Sequence, residues 1–293
     1  MIFDSFSHFR DHPAYNKFVD EDYLIVEFKC PIEEENFKSW SECHYITYVL
    51  SGKKKWLTPD REWTLTSGQS VFVHKGAYLN QQFFEEDFCV LMFFMTDRFI
   101  KNFVRSDLQP SVSSEETGLP ASGLIEWIEV TETLSTLYNS FFGYLKQETA
   151  PPKKLIELKF REMLLNVVTN PANAGTFSAI LDIARNDGIS MEQIMEDNFI
   201  YHLSLEEYAR LCGRSLSTFK RDFKKVFKST PGRWLTLRRL QYARQLLMGS
   251  DLNVTEVCYD SGFENPSHFV RAFKNTFGLT PLEFKSKKIA TAF

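Results

Sequence analysis

Two copies of one pattern occupy the last part of the chain, from about Leu203 to Lys285, and this repeat constrains the fold more than any other feature. At an offset of 49 residues the matched positions are Leu205 with Val254, Tyr208 with Val257, Ala209 with Cys258 and Gly213 with Gly262. At an offset of 50 they are Phe219 with Phe269, Arg221 with Arg271, Phe223 with Phe273, Lys224 with Lys274, Phe227 with Phe277 and Pro231 with Pro281. The repeat predicts one local fold used twice, with one residue inserted in the turn.

Each copy has the signals of a short helix, a turn with glycine and a second helix. Ser204 followed by Glu207 is a capping-box pattern, and Gly213 can take the left-handed conformation that ends a helix. In the second copy Asn265 and Pro266 are typical of an N-cap and a first helical position. Both copies are therefore predicted to be helix-turn-helix units, in which the second helix enters the major groove of DNA.

The charge distribution supports a nucleic-acid partner. From Phe199 onward the chain has 16 Lys and Arg against 8 Asp and Glu, a net charge of +8, whereas the preceding part has 18 against 30, a net charge of -12. Phosphate neutralisation supplies most non-specific affinity for DNA. A solvated basic face is the alternative, and charge alone does not exclude it.

Helical phase selects the candidate DNA contacts, because the phenylalanines of each second helix occupy its core face. In the first copy this leaves Ser217, Thr218, Lys220, Arg221 and Lys224 on other faces. In the second copy it leaves Ser267, His268, Arg271 and Lys274. Arginines early in such helices contact bases and later lysines contact phosphates, although solvated side chains are the alternative. Between the copies, residues Pro231 to Gly249 form a predicted helix, which would hold the two recognition helices about 34 Å apart in successive groove turns.

These residues resemble the AraC/XylS family of bacterial transcription regulators. The resemblance rests on Arg239-Leu240, Ala243, Leu246-Leu247, Val254 to Cys258, Gly262-Phe263, Phe269, Phe273, Gly278 and Thr280-Pro281. It implies a sequence-specific activator whose partners are double-stranded DNA, RNA polymerase and an unidentified small-molecule or protein effector. Lys228 and Ser229 depart from the family, which commonly has a glycine at this turn.

The first two hundred residues alternate apolar and polar side chains and then become helical. The predicted strands include Tyr23 to Phe28, Tyr45 to Leu50, Trp63 to Leu65, Ser70 to Val73 and Val90 to Phe94, which indicates a small sandwich or barrel. The family resemblance implies a cupin-like β-barrel. Two helices follow, with Leu134 to Leu145 in one and Leu155 to Val168 in the other, and in resembling regulators this hairpin supplies a dimer interface. Packing within one chain is an equally open alternative.

The predicted fold is therefore α+β, with two domains. Residues 1–180 form a cupin-like sensor and dimerisation domain with a helical hairpin, and residues 190–288 form an all-α domain with two helix-turn-helix motifs. The order of these elements, with Phe99 to Val104 after the last strand, is similar to the branch of the family that regulates type III secretion, where a protein partner controls the activator.

An enzyme is the alternative class, since cupin enzymes bind a metal through clustered histidines and a carboxylate. Only His44 and His74 fall within the predicted barrel, so we expect no metal, no cofactor and no catalytic residues. A cupin-type metal enzyme with a DNA-binding appendage remains the alternative. A repair methyltransferase fusion is disfavoured, because the five cysteines are scattered and do not form zinc-ligand clusters.

Two further expectations concern the aromatic side chains and the compartment. Tyr45, Tyr48, Trp56, Trp63, Phe83 and Phe84 either line a pocket for a small molecule or fill the barrel, and the sequence leaves both open. The longest apolar stretch, Phe88 to Met95, is too short to cross a bilayer, and the N-terminus lacks a basic leader. We therefore expect a cytoplasmic protein that does not bind membranes.

Overall fold

A computed structural model describes residues 2–29, 36–57, 61–83, 88–108, 124–185 and 190–291. Contacts within the chain divide it into two compact units, Met1–Ser190 and Met191–Phe293. The first unit contains β-sheets and helices, whereas the described part of the second is helical. The predicted α+β class is confirmed.

Two sheets form the centre of the first unit. The strands are β1 Phe3–Asp4, β2 Lys17–Val19, β3 Tyr23–Lys29, β4 Asn36–Ser41, β5 His44–Ser51, β6 Lys53–Leu57, β7 Glu62–Thr66, β8 Ser70–Val73, β9 Gly76–Gln82, β10 Cys89–Met95 and β11 Ile125–Ile128. One sheet has the order β1-β4-β9-β6-β7, and the other has the order β11-β8-β5-β10-β3-β2. The five predicted strands lie within β3, β5, β7, β8 and β10. The other six strands were not predicted, and in β4, β6 and β9 lysine, serine and asparagine residues hide the apolar alternation. The sequence Thr58-Pro59-Asp60 predicts a turn after Leu57, and these three residues lie outside the described ones.

Successive side chains of the six-stranded sheet point into two different hydrophobic cores. In β5, Tyr45 belongs to a core shared with the five-stranded sheet, whereas its neighbour Ile46 belongs to a core shared with helices. The opposite strand β10 has the same division, because Phe94 pairs with Tyr45 and Phe93 with Ile46. Successive side chains of a strand point to opposite faces, so one sheet serves both cores.

Four helices of the first unit contribute to the core on one face of the six-stranded sheet. They are α2 Asp97–Asp107, α3 Glu132–Leu145, α4 Lys153–Val168 and α5 Ala174–Arg185, with a 3-10 turn at Pro171–Asn173. Helix α1 Ser5–Asp11 instead places Phe6 and Phe9 in the core shared with the five-stranded sheet. Tyr138 of α3 stacks on Tyr48 of β5 at a ring-centroid distance of 4.3 Å, and its hydroxyl lies 3.0 Å from Ser70 Oγ. Phe160 of α4 is buried in the same core. The predicted helical pair is therefore anchored to the sheet.

The second unit consists of seven helices within residues 191–291. They are α6 Met191–Asn198, α7 Leu205–Leu211, α8 Leu216–Phe227, α9 Pro231–Gly249, α10 Val254–Asp260, α11 Pro266–Phe277 and α12 Pro281–Thr291. Leu240, Ala243 and Leu247 of α9 share a core with Phe269 and Phe273 of α11. Across both units, none of the described helices has the length and apolarity needed to span a bilayer.

Candidate nucleic-acid interface

Local hydrogen bonds build the first helix-turn-helix unit, α7 and α8, as its sequence predicts. Ser204 Oγ accepts a hydrogen bond from the Glu207 amide at 3.2 Å, and the Glu207 carboxylate accepts one from the Ser204 amide at 2.6 Å. Gly213 in the turn has a φ of 62°, in the left-handed region that favours glycine. Ser215 then caps α8 by accepting from the Thr218 amide at 3.3 Å.

The second unit, α10 and α11, repeats this construction with different residues. Asn253 and Glu256 form a capping box at distances of 2.6 and 3.0 Å, and Gly262 has a φ of 88°. Asn265 Oδ1 accepts from the His268 amide at 3.0 Å, and Pro266 occupies the first turn of α11. The connection between the helices spans residues 261–265, one residue longer than residues 212–215 in the first unit. This extra residue explains why the offset between matched positions changes from 49 to 50 residues in the sequence.

The two recognition helices present the same face to their cores. Phe219 and Phe223 of α8 are fully buried, as are Phe269 and Phe273 of α11. The next phenylalanine of the series is half-buried in each helix. Because both helices turn this face inward, the remaining faces are directed to solvent.

Eight of the nine predicted DNA contacts are exposed in these helices. They are Ser217, Lys220, Arg221 and Lys224 in α8 and Ser267, His268, Arg271 and Lys274 in α11. Thr218 is half-buried, and its Oγ1 accepts a hydrogen bond from Ser215 Oγ at 3.0 Å. The structure therefore leaves Thr218 less accessible than its neighbours.

An acidic side chain beside the predicted contacts distinguishes the two recognition helices. Asp222 Oδ1 accepts from Arg221 Nε at 3.1 Å, and Arg214 Nη1 lies 3.8 Å from Asp222 Oδ2. The hydrogen bond from Arg221 is the main cause of the lowered pKa of Asp222. The corresponding residue of α11 is Ala272, and Arg271 makes no side-chain hydrogen bond or ion pair with any residue that the structure describes. Comparing the two copies position by position would have revealed this difference.

The turn at which the sequence departs from the family has an unusual conformation. Lys228, at the end of α8, has a φ of 51° and a ψ of 27°, which is left-handed. It is the one non-glycine residue with positive φ in the described chain. The corresponding Gly278 ends α11 with a φ of 79°. The two turns therefore have similar shapes, but only the second has the residue that adopts this shape without strain.

Helix α9 contacts both helix-turn-helix units. Near its beginning, the Trp234 ring lies 5.0 Å from the ring of Phe227 in α8, measured between centroids. Farther along, Leu240 and Leu247 pack in the core that includes Val257 of α10 and Phe273 of α11. The predicted connecting helix is thus packed at both ends.

The predicted histidines of the first unit are buried rather than arranged around an open site. His44 Nε2 lies 3.3 Å from Asp97 Oδ1, and the His44 and His74 rings are in edge contact with centroids 5.4 Å apart. Burial is the main cause of the lowered pKa of both side chains. Within the described residues, no group of three or more His, Cys, Asp or Glu side chains is placed to hold a metal ion.

Four of the six predicted pocket aromatics lie in the hydrophobic cores of the first unit. Tyr45, Trp56 and Trp63 are buried in the core between the sheets, and Tyr48 is buried against α3. Phe83 is half-buried, and Phe84 lies outside the described residues. The internal cavity beside Tyr45 is about 10 Å³, roughly the space of one water molecule. A larger cavity of about 400 Å³ lies elsewhere, lined by Phe3, His8, His12, Ala14, Tyr15, Asn16, Glu27 and Lys29.

Comparison with known proteins connects both units to transcription regulators. Residues 44–179 match the family model described as the ExsA N-terminal regulatory domain, and residues 208–287 match a helix-turn-helix domain. The chain is 26% identical over 244 residues to the virulence regulon transcriptional activator VirF of Yersinia enterocolitica, covering 83% of this chain and 89% of that protein.

Two other relatives agree with this result. The regulator ExsA of Pseudomonas aeruginosa is 26% identical over 243 residues, covering 83% of this chain and 86% of that protein. The activator RhaS of Salmonella paratyphi B is 34% identical over 116 residues, covering 39% of this chain and 42% of that protein. These relatives are transcription regulators, not enzymes. The chain belongs to the AraC family of DNA-binding transcription regulators, with an N-terminal regulatory domain and a C-terminal helix-turn-helix domain.

Proposed function

We propose that this protein activates transcription by reading two successive major-groove turns of one DNA site with α8 and α11. The observation that carries the proposal is the matched exposure of two recognition helices, each with a buried phenylalanine face and an exposed stripe of Arg, Lys and Ser. The unit Met191–Phe293 is the DNA-binding domain in this proposal, and the unit Met1–Ser190 is the regulatory domain. The protein acts in the cytoplasm, where the bacterial chromosome lies.

Within each helix we assign base reading to the arginine and phosphate contact to the lysine. Arg221 and Arg271 occupy matching positions, and a bidentate contact of arginine with guanine discriminates by about 1 to 3 kcal/mol. Lys224 and Lys274 lie one turn later, where contacts to phosphate position the helix without reading sequence. Ser217, Lys220, Ser267 and His268 complete the proposed contact surface, with half-buried Thr218 as a peripheral member.

Alanine substitution tests this assignment. Arg221→Ala and Arg271→Ala should each weaken binding to a duplex selected from a random library by the wild-type protein, by about 5-fold to 150-fold. Binding to scrambled duplex should change far less. Lys224→Ala should weaken both complexes equally and reduce the salt dependence, and Arg105→Ala in α2 is the surface control. Unchanged affinity of both arginine variants for the selected duplex, with folding intact, would remove the assignment.

Activation requires RNA polymerase as the second macromolecular partner. Adding the protein to a transcription reaction with bacterial RNA polymerase should increase the transcript from a promoter that carries the selected site. Arg271→Ala should reduce this increase in proportion to its lost affinity. A decrease in transcript on addition of wild-type protein would instead identify a repressor.

A symmetric dimer through α4 is the proposed arrangement for paired sites. Leu155 and Leu158 lie three residues apart on α4, and their exposures of 39% and 52% are high for leucine. Exposed apolar side chains on one helix face are typical of an interface. A twofold dimer would present two DNA-binding domains to paired half-sites.

The regulatory domain is proposed to receive its signal at its surface, from a protein partner. The supporting observation is that Tyr45, Trp56 and Trp63 are buried in the core between the sheets, where the described cavity beside Tyr45 is about 10 Å³. Native mass spectrometry of the purified chain should therefore give the mass of protein alone. A stoichiometric small-molecule adduct would overturn this part of the proposal, and the cavity beside His8 and Tyr15 would then be the first place to locate it.

A further inference from the structure

The end of α6 and the α6–α7 connection, residues 199–204, contact α7, α9 and the turn between α10 and α11. Tyr208 of α7 donates a hydrogen bond from its hydroxyl to the carbonyl of Asn198, the last residue of α6, at 2.8 Å. Tyr208 is fully buried, so this contact fixes the first helix-turn-helix unit to the end of α6.

Arg239 attaches helix α9 to the same connection. Its Nε donates to the Phe199 carbonyl at 2.6 Å, and its Nη2 donates to the Tyr201 carbonyl at 2.9 Å. The planar guanidinium holds two carbonyls in a fixed geometry, which a lysine ammonium cannot reproduce. Next to it, Arg238 donates to Glu196 at 2.8 Å and lies over the Phe199 ring at 4.5 Å.

Gly262 brings the second helix-turn-helix unit against this connection. A Cβ at Gly262 would lie 2.7 Å from the Ile200 carbonyl oxygen and 3.0 Å from both Ile200 Cα and Arg239 Nε. The 2.7 Å distance to a backbone oxygen is shorter than the contacts that real Cβ atoms make, so only glycine permits this approach without a shift of the backbone. His202 Nδ1 also lies 3.5 Å from Glu264 Oε1, across the same contact. The matching Gly213 has nothing within 4 Å of its Cβ position.

We propose that Arg239 and Gly262 are positioning residues that clamp the two helix-turn-helix units at one spacing. The clamp consists of the α6–α7 connection, Arg239 and Gly262. This inference rests on the proposed two-site reading and adds the device that sets its spacing. Two linked helix-turn-helix units bind DNA more tightly than one only when both can occupy their half-sites at the same time. A rigid spacing between the units therefore makes the affinity depend on the distance between the half-sites.

The experiment measures spacing preference in the full-length protein. The probes are the selected duplex, the duplex with one base pair inserted between its halves, and two duplexes with one half scrambled. The variants are Gly262→Ala, which pushes the second unit away from Ile200, and Arg239→Lys, which keeps the charge but removes the two-carbonyl contact. Gly213→Ala is the matched control, because it imposes a similar φ strain without a steric conflict.

The wild-type protein and Gly213→Ala should lose about 10-fold or more in affinity when one base pair is inserted. Gly262→Ala and Arg239→Lys should bind the two spacings within about 3-fold of each other, while each keeps wild-type affinity for the half-site probes. Circular dichroism checks folding, and Arg239→Lys decides the test if Gly262→Ala does not fold.

Two results would overturn the clamp. One is a wild-type spacing preference in Arg239→Lys, or in both variants when both fold. The other is that the variants lose the same factor in affinity for the selected duplex and for the half-site probes, which would show that the two residues only stabilise the fold. If the wild-type protein itself is indifferent to scrambling either half, two-site reading fails, and this outcome is distinguishable from failure of the clamp alone.

Discussion

Acidification tests whether His74 is held as a neutral imidazole inside the first unit. Only 7% of His74 is exposed, and its Nε2 has no hydrogen-bond partner among the described residues. Burial lowers its pKa from 6.5 to about 3, and the adjacent His44 and Lys75 contribute to the same shift. Asp97 pairs with His44 and Lys75. As the pH falls below about 6.5, His74 therefore becomes protonated in the unfolded chain but stays neutral in the folded protein.

The sign and size of the effect follow from this difference. Because the pKa of His74 is lower in the folded state, its contribution to stability is complete above pH 6.5 and declines as the pH falls toward about 3. At pH 5 the unfolded state holds nearly one more proton than the folded state at this site. With 1.36 kcal/mol for each pH unit, His74 alone should lower the free energy of unfolding by about 2 kcal/mol between pH 7.5 and pH 5.

The assay is urea unfolding followed by tryptophan fluorescence, since four of the five tryptophans, Trp40, Trp56, Trp63 and Trp127, lie in the first unit. His74→Phe removes the titrating group. Between pH 7.5 and pH 5, the decrease in the free energy of unfolding should therefore be about 2 kcal/mol smaller for this variant than for the wild-type protein. The exposed His12→Gln is the control. Parallel pH profiles of wild type and His74→Phe would refute the reasoning.

Three further predictions concern the second unit and the proposed dimer. Lys228→Gly should raise the free energy of unfolding of the second unit by about 1 kcal/mol and Gly278→Lys should lower it similarly, as measured by circular dichroism; equal stabilities would contradict the strain argument. Leu158→Glu should shift the protein from dimer to monomer in light scattering, and an unchanged mass would exclude this interface. Asp222→Asn should raise affinity for random duplex about 2-fold to 5-fold at low salt, because a repulsive carboxylate beside Arg221 is removed, and a gain that persists at high salt would contradict this cause.

Much of the second unit was predictable because its signals are local. Capping by Ser204, the left-handed turn at Gly213 and the helix start at Asn265 each depend on residues within about four positions. The repeated phenylalanines also fixed which face of α8 and α11 is buried. The exposure of Arg221 and Arg271 followed from that phase.

The first unit was predictable only where its strands are apolar. In β5 and β10, alternate side chains pack in two cores, so hydrophobicity alone marks these strands. In β6 the residues Lys53, Lys54 and Lys55 precede Trp56, and the pattern resembles a surface loop. Its strand conformation is fixed by pairing with β7 and β9, which are separate segments of the chain.

The sequence by itself determined that there are two helix-turn-helix units, that α7 begins after Ser204 and ends before Gly213, that α11 begins after Asn265, and which faces of the recognition helices are basic. Tertiary structure alone decided that Gly262 lies against Ile200 and that Arg239 donates to the carbonyls of Phe199 and Tyr201. The reason is the range of the forces involved. Caps and turns are satisfied by the nearest backbone groups, whereas the spacing of two units depends on a close contact between residues far apart in the chain, which exists only after α9 has packed against both.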